Sequence, residues 1–265
     1  MKEFFRLWAE HDKFGYMGKI GFICGVFALV ITVLLALPQF IKVVKERKTG
    51  KNVNFTSFWI FNSGLLLWIV FAGFMPGGLV PPLVANLASV LLYSVMIFFL
   101  YFYKEWENKE AKRKGLIIVG AILTLKGIFA IILSALWLTD QSVNVQILDN
   151  GIVDRTNAIL PVITQEWLQI AMGVIIPIFT AVAFIPQIIE GFKRKSFQGV
   201  SLVFSLAALV MNVLWWMYWF AFGLGQSFSV VSILTLSWQT VSIAIFLINF
   251  AGSLIYSEKS IQQAA

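Results

Sequence analysis

Two stretches of the sequence decide the fold when laid side by side: LALPQFIKVVKERKTGKNVNFTSFWIFNSGLLLWIVFAG (35–73) and VAFIPQIIEGFKRKSFQGVSLVFSLAALVMNVLWWMYWF (182–220). Pro38-Gln39 in the first matches Pro186-Gln187 in the second. A basic loop follows each pair, and then a valine with a polar neighbour, Val53-Asn54 and Val200-Ser201. A tryptophan stands fifteen residues beyond each valine, at Trp68 and Trp215. One proline in a membrane helix marks only a kink. Two Pro-Gln pairs with matched flanks mark a duplication.

The surroundings place this duplication in a bilayer. The chain of 265 residues is 59% hydrophobic and only 12% charged, with a mean hydropathy of +0.85. A soluble domain carries roughly a quarter charged residues. Here the charges are also clumped: 20–41, 53–103, 167–189 and 196–257 have none, and 115–139 has only Lys126. Charge-free apolar runs of this length read as membrane helices. The run 53–103 is too long for one crossing and is broken by GFMPGGLVPP (73–82); 196–257 is broken by GLGQS (223–227). Seven spans result, at about 20–43, 54–74, 80–103, 115–138, 167–190, 200–222 and 228–256. The predicted fold class is an all-α polytopic membrane protein, with two parallel three-helix repeats joined by a linker helix. The segments are 1–19, an N-terminal interfacial stretch with Phe4, Phe5, Leu7 and Trp8 on its apolar side; 20–103, the first repeat; 104–166, linker helix and long polar loop; 167–256, the second repeat; and 257–265, a tail. The first nineteen residues mix both charge signs and have no apolar core, so they do not read as a signal peptide.

Lysine and arginine orient the chain. The loops after spans 1, 3 and 5 hold Lys42, Lys45, Arg47, Lys48 and Lys51, then Lys104, Lys109, Lys112, Arg113 and Lys114, then Lys193, Arg194 and Lys195; Lys259 joins them. The opposite side has Lys2, Arg6, Lys13, Lys19 and Arg155, and its long loop carries Asp140, Asp149, Asp154 and Glu166. This predicts an extracytoplasmic N-terminus and a cytoplasmic C-terminus, in the plasma membrane. The net charge of +7 is then a topology signal and not a nucleic-acid footprint. A three-helix unit ends on the side opposite to its start. A second copy in the same orientation therefore needs one extra crossing, which span 4 supplies.

The two Pro-Gln pairs and the seven spans resemble the PQ-loop superfamily, which includes SWEET sugar facilitators, lysosomal amino-acid exporters and retrieval-signal receptors. The resemblance covers 20–103 and 167–256. It implies paired triple-helix bundles around a central path, with substrate near the midplane. It also implies hinge or gating roles for Pro38, Gln39, Pro186 and Gln187. In SWEET-like proteins an asparagine in the third helix of each repeat contacts the sugar and a large side chain in the second helix stacks on it. Asn86 fits the first role. Span 7 offers Ser232, Thr235 and Gln239 near the corresponding place and no asparagine, so the pocket is expected to be asymmetric.

The other candidates follow from chemistry. Asn62 and Asn212 are polar groups inside spans and are expected on one helix face. Aromatic rings stack on the apolar faces of sugars, so Trp68 and Trp215 are expected to line the path with Asn86, Asn62, Asn212 and Thr235. For each asparagine the alternative is a hydrogen bond that holds the bundle together. Trp219, near a span end, reads as an interfacial belt residue. Lys126, alone at mid-span in the linker, is a functional candidate by its position, although the resemblance puts that helix outside the path.

Several classes are disfavoured. The single Cys24 excludes an internal disulfide, and the single His11 excludes a histidine cluster for metal. No Ser-His-Asp set or phosphate loop appears, so no enzyme activity and no cofactor are expected. No carboxylate lies deep in a span, whereas proton-coupled carriers and amino-acid exporters use one. The expected function is a membrane transporter of a small neutral solute, of the sugar class, working by alternating access without proton coupling. The alternatives are an amino-acid exporter or a non-transporting receptor. The expected partners are the solute and the lipid bilayer, with room for a homo-oligomer and no nucleic acid.

Overall fold

The computed structural model describes residues 11–50, 53–74, 80–140, 146–147, 153–154, 159–160, 163, 165–197, 201–225, 228 and 230–262. Its helices are α1 (His11–Leu34), α2 (Ala36–Glu46), α3 (Phe55–Phe74), α4 (Val80–Phe102), α5 (Lys109–Thr139), α6 (Glu166–Ala181), α7 (Ile185–Lys193), α8 (Leu202–Gly225) and α9 (Val230–Gln262). Seven helical stretches among the described residues are long and apolar enough to cross a membrane; α1–α2 and α6–α7 each form one broken span. The all-helical seven-span architecture read from the sequence is therefore present. A two-residue ribbon, Gln146–Ile147 paired with Val153–Asp154, lies in the long loop. Most of that loop, and Phe4, Phe5, Leu7 and Trp8, lie outside the described residues.

The linker helix starts at Lys109, a turn and a half before the apolar run. Asn108 caps it, its side chain accepting from the Ala111 amide at 2.8 Å. This cap satisfies one of the free amides of the first turn. At the other end of the linker helix the buried Asp140 carboxylate accepts from the amides of Ile159 and Leu160, at 2.6 and 2.8 Å. The end of the long loop is thereby tied to the linker.

Both span breaks have the same cause. Proline at position i has no N–H for the carbonyl at i−4 and its ring crowds that carbonyl. For Pro38 that carbonyl belongs to Leu34, and α1 ends at Leu34. For Pro186 it belongs to Val182, and α6 ends at Ala181 with Val182 as its cap. Nearby carbonyls near each break find other partners. Ser89 on α4 donates to the Thr32 carbonyl at 2.9 Å, and the Ile185 amide donates to the Val182 carbonyl at 3.0 Å. In an apolar medium such groups need partners of this kind.

Within each repeat the third span touches the other two: α4 packs on α1 and α3, and α9 packs on α6 and α8. Between repeats, α1 packs on α8 and α3 on α6. The linker α5 lies against α3 and α4. Small residues let these crossings close. A Cβ on Gly21 would sit 2.3 Å from Ala221 Cβ, and one on Gly64 would sit 2.7 Å from Thr180 Cγ2. Close approach of backbones through small residues is how helices gain contact in lipid.

Candidate functional site

The two repeats are joined by hydrogen bonds that come in symmetric pairs. Gln39 Oε1 accepts from the Ser201 amide at 2.9 Å, and Gln187 Oε1 accepts from the Asn54 amide at 2.8 Å. Each glutamine of a Pro-Gln pair thus satisfies an amide at the start of the other repeat's second helix, where free N–H groups are unavoidable. Both glutamines are buried, at 1% and 0% exposure. About 20 Å further along α3 and α8, by helical rise, a second pair appears. Trp68 Nε1 donates to Thr180 Oγ1 at 3.2 Å, and Trp215 Nε1 donates to Thr32 Oγ1 at 2.9 Å. Each tryptophan again reaches a side chain of the opposite repeat.

Between these two layers lies a plug of phenylalanines. Phe184 stands in the break before Pro186, and its ring centroid is 5.7 Å from Phe58, 5.5 Å from Phe61, 5.2 Å from Phe204 and 5.4 Å from Phe246. Such aromatic contacts add to simple area burial. They close the end of the molecule that carries the basic loops.

Above the plug is a cavity of about 540 Å³, counting the part open at its mouth. Phe61 and Phe246 form its floor. Leu65, Trp68, Trp215, Trp219 and Met211 form its walls, with Thr32 and Thr180; Pro82, Asn86, Asn212 and Gln239 complete it. Among the described residues, none that lines it is charged. The balance of apolar wall to a few polar groups is that of a small-molecule site.

The architecture matches known proteins. A family model described as PQ loop repeat matches residues 168–228, which span the second Pro-Gln pair and its flanking helices. The chain also superposes on a solved structure described as the 3.7 Å resolution structure of a eukaryotic SWEET transporter. The TM-score is 0.51 at 15% identity, over 90% of this chain and 97% of that chain. The chain carries one stretch that matches a PQ-loop repeat, in a SWEET-like fold. No curated protein matches its sequence.

The fold gathers some of the sequence candidates and separates others. Trp68, Trp215, Asn86 and Asn212 converge on the cavity. Asn62 does not line it: its Nδ2 donates to the Val90 carbonyl at 3.3 Å and to Ser94 Oγ at 3.4 Å, holding span 2 to span 3. Thr235 is buried and also lies outside the lining. Asn62 and Asn212 stand nine and twelve residues after their valines. That three-residue offset turns the side chains by about 60°, enough to send one into the bundle and the other into the cavity.

One tryptophan reading changes. Trp219 is not a belt residue; it is 4% exposed and lines the cavity. Trp216 faces outward, bonded to Thr240 Oγ1 at 3.1 Å and stacked on Phe220. Lys126 also faces away from the cavity. Its Nζ donates to Ser63 Oγ at 3.1 Å and lies 5.5 Å from the centroid of the Trp59 ring, on the outer side of span 2.

Thr32 and Thr180 were not singled out from sequence, yet a signal existed. Each stands six residues before the proline of its Pro-Gln pair. The recurrence of a hydroxyl at that register, opposite a recurrent tryptophan, is a repeat-level pattern. Phe184 and Met211 carry no comparable mark.

Proposed function

We propose that this protein is a transporter of a small neutral solute, of the sugar class, that moves its cargo by alternating access and without chemical change. The observation that carries this reading is the uncharged, aromatic-walled and amide-bearing cavity between two pseudo-symmetric bundles, closed at one end by the Phe184 plug. An apolar wall with a few placed amides suits a solute that has both a hydrocarbon face and hydroxyls. The plug packs at a proline break, so bending there moves the barrier itself. Prolines that remove a backbone bond supply such hinges. The basic loops flank the plug, which favours a cytoplasmic location for the closed end and for the C-terminus. The plasma membrane is the expected site.

Among the described residues the cavity wall holds no titratable side chain to carry a proton across with the solute. The transport it performs is therefore equilibrative. The test is uptake of radiolabelled monosaccharides and disaccharides into proteoliposomes, with and without an imposed proton gradient. Equilibration to the external concentration, unaffected by the gradient, is expected. Absence of flux for every neutral solute, or concentrative uptake driven by protons, would overturn the reading.

A further inference from the structure

The plug contains one ring that is not a phenylalanine. Tyr93, on α4, packs against Phe58 and Phe61, with ring centroids 6.5 and 5.0 Å away. These are the same two rings that Phe184 touches from the other repeat. Tyr93 is fully buried, and among the described residues its hydroxyl has no hydrogen-bond partner. The rings of Phe58, Phe61, Tyr93, Phe184, Phe204 and Phe246 thus hold a single polar atom, and that atom is unpaired. A buried hydroxyl without a partner destabilises the state that buries it, so it calls for an explanation. Phenylalanine would fill the same place without that cost.

Helical geometry says when the cost is relieved. Tyr93 stands seven residues after Asn86 on α4. It therefore shares a face with that cavity-lining residue to within about 20° and lies about 10 Å further towards the basic loops. The same spacing recurs on α9, where Phe246 stands seven residues after Gln239 and both line the cavity. One repeat carries a phenol at this register and the other a phenyl. When the bundles part at this end, the shared face of α4 borders the passage, and water can pair with the Tyr93 hydroxyl.

We propose that Tyr93 is a positioning residue of the gate: its unpaired hydroxyl raises the free energy of the plugged state relative to the open one and so sets how often the plug parts. This rests on the ring cluster being the barrier of a transporter. The closed end is favoured by the ring contacts and by the bonds from Gln39 to Ser201 and from Gln187 to Asn54. The Tyr93 hydroxyl acts against them and keeps closure reversible. Its effect is on the populations of the two states and needs no contact with the solute. An all-phenylalanine plug would stay shut for longer and slow the cycle.

The test is Tyr93→Phe in the full-length protein, which removes the hydroxyl and keeps the ring. Opening is read by an impermeant maleimide on Ala183→Cys in a Cys24→Ser background, since Ala183 is fully buried beside Phe184. Labelling should slow about tenfold in Tyr93→Phe, the equivalent of about 1.4 kcal/mol. The melting temperature should not fall, since no hydrogen bond is lost. Solute flux in proteoliposomes should slow as well. Labelling that is unchanged or faster would overturn the proposal. So would a lowered melting temperature, which would show the hydroxyl to be bonded and structural. Labelling is read without solute, so the two readings can fail separately. Slower labelling in a protein that passes no neutral solute would refute the transport reading alone. Flux with labelling indifferent to Tyr93→Phe would refute the role of Tyr93 alone.

Discussion

Replacing Gln39 and Gln187 by leucine should unlatch the end of the molecule that carries the basic loops. Each glutamine holds an amide of the opposite repeat, at 2.9 Å to Ser201 and 2.8 Å to Asn54, and both side chains are buried. Leucine keeps the bulk and removes the acceptor. A buried N–H left without a partner costs about 1–3 kcal/mol. That cost falls on the state in which the repeats meet, because separation at this end lets water reach the amide. The closed state is therefore destabilised relative to the open one by about 1–3 kcal/mol per substitution, a shift of about 5- to 150-fold. The two contacts sit in different copies of the repeat, so their effects should roughly multiply. The assay is thiol labelling of Ala183→Cys in a Cys24→Ser background. Ala183 is fully buried in the break between α6 and α7, so an impermeant reagent reaches it only when this end opens. The labelling rate should rise several-fold in each single mutant and further in the double mutant. Unchanged labelling in the double mutant, in protein that still melts cooperatively, would refute the argument that these bonds close the gate.

Three further outcomes follow from the same geometry. Pro38→Ala and Pro186→Ala restore the missing amide and remove a helix penalty of about 3 kcal/mol; both should express normally yet transport slowly, and two single mutants with wild-type flux would leave the prolines as static kinks. Cysteines introduced at 45–48 and at 145–150 should label from opposite faces of the membrane, with 45–48 cytoplasmic; labelling of both from one side would contradict the topology. Lys126→Met removes a contact to Ser63 outside the cavity, so flux should stay close to wild type and vary little with pH, whereas loss of a proton-driven accumulation in this mutant would restore Lys126 to the mechanism.

Much of the fold was legible in the chain because its determinants are local. Charge-free runs, the Gly-Pro interruption at 73–82 and the spacing of basic loops each act over a few residues. The bilayer enforces them by refusing unpaired backbone. The proline breaks are equally local: a missing N–H at Pro38 or Pro186 acts on one carbonyl a turn away. The duplication was legible because both copies kept Pro-Gln and tryptophan at matched registers.

The site was only partly legible, and the reason is rotational. Periodicity places Asn62 and Asn212 near one face, but 60° of turn decides between a hydrogen bond inside the bundle and a place on the cavity wall. Trp216 and Trp219 are three residues apart, and the sequence ranks them by depth alone. Only the packing of α8 against α1 turns Trp219 inward and leaves Trp216 outside. Lys126 was visible as an anomaly, yet its partner Ser63 lies 63 positions away on another span. By itself, then, the chain determined the number of spans, where they break and that they repeat, since these depend on the backbone and the solvent around each segment. The tertiary structure decided which polar atoms are left without partners, since a hydrogen bond such as Trp215 to Thr32 exists only once two distant helices meet at 2.9 Å.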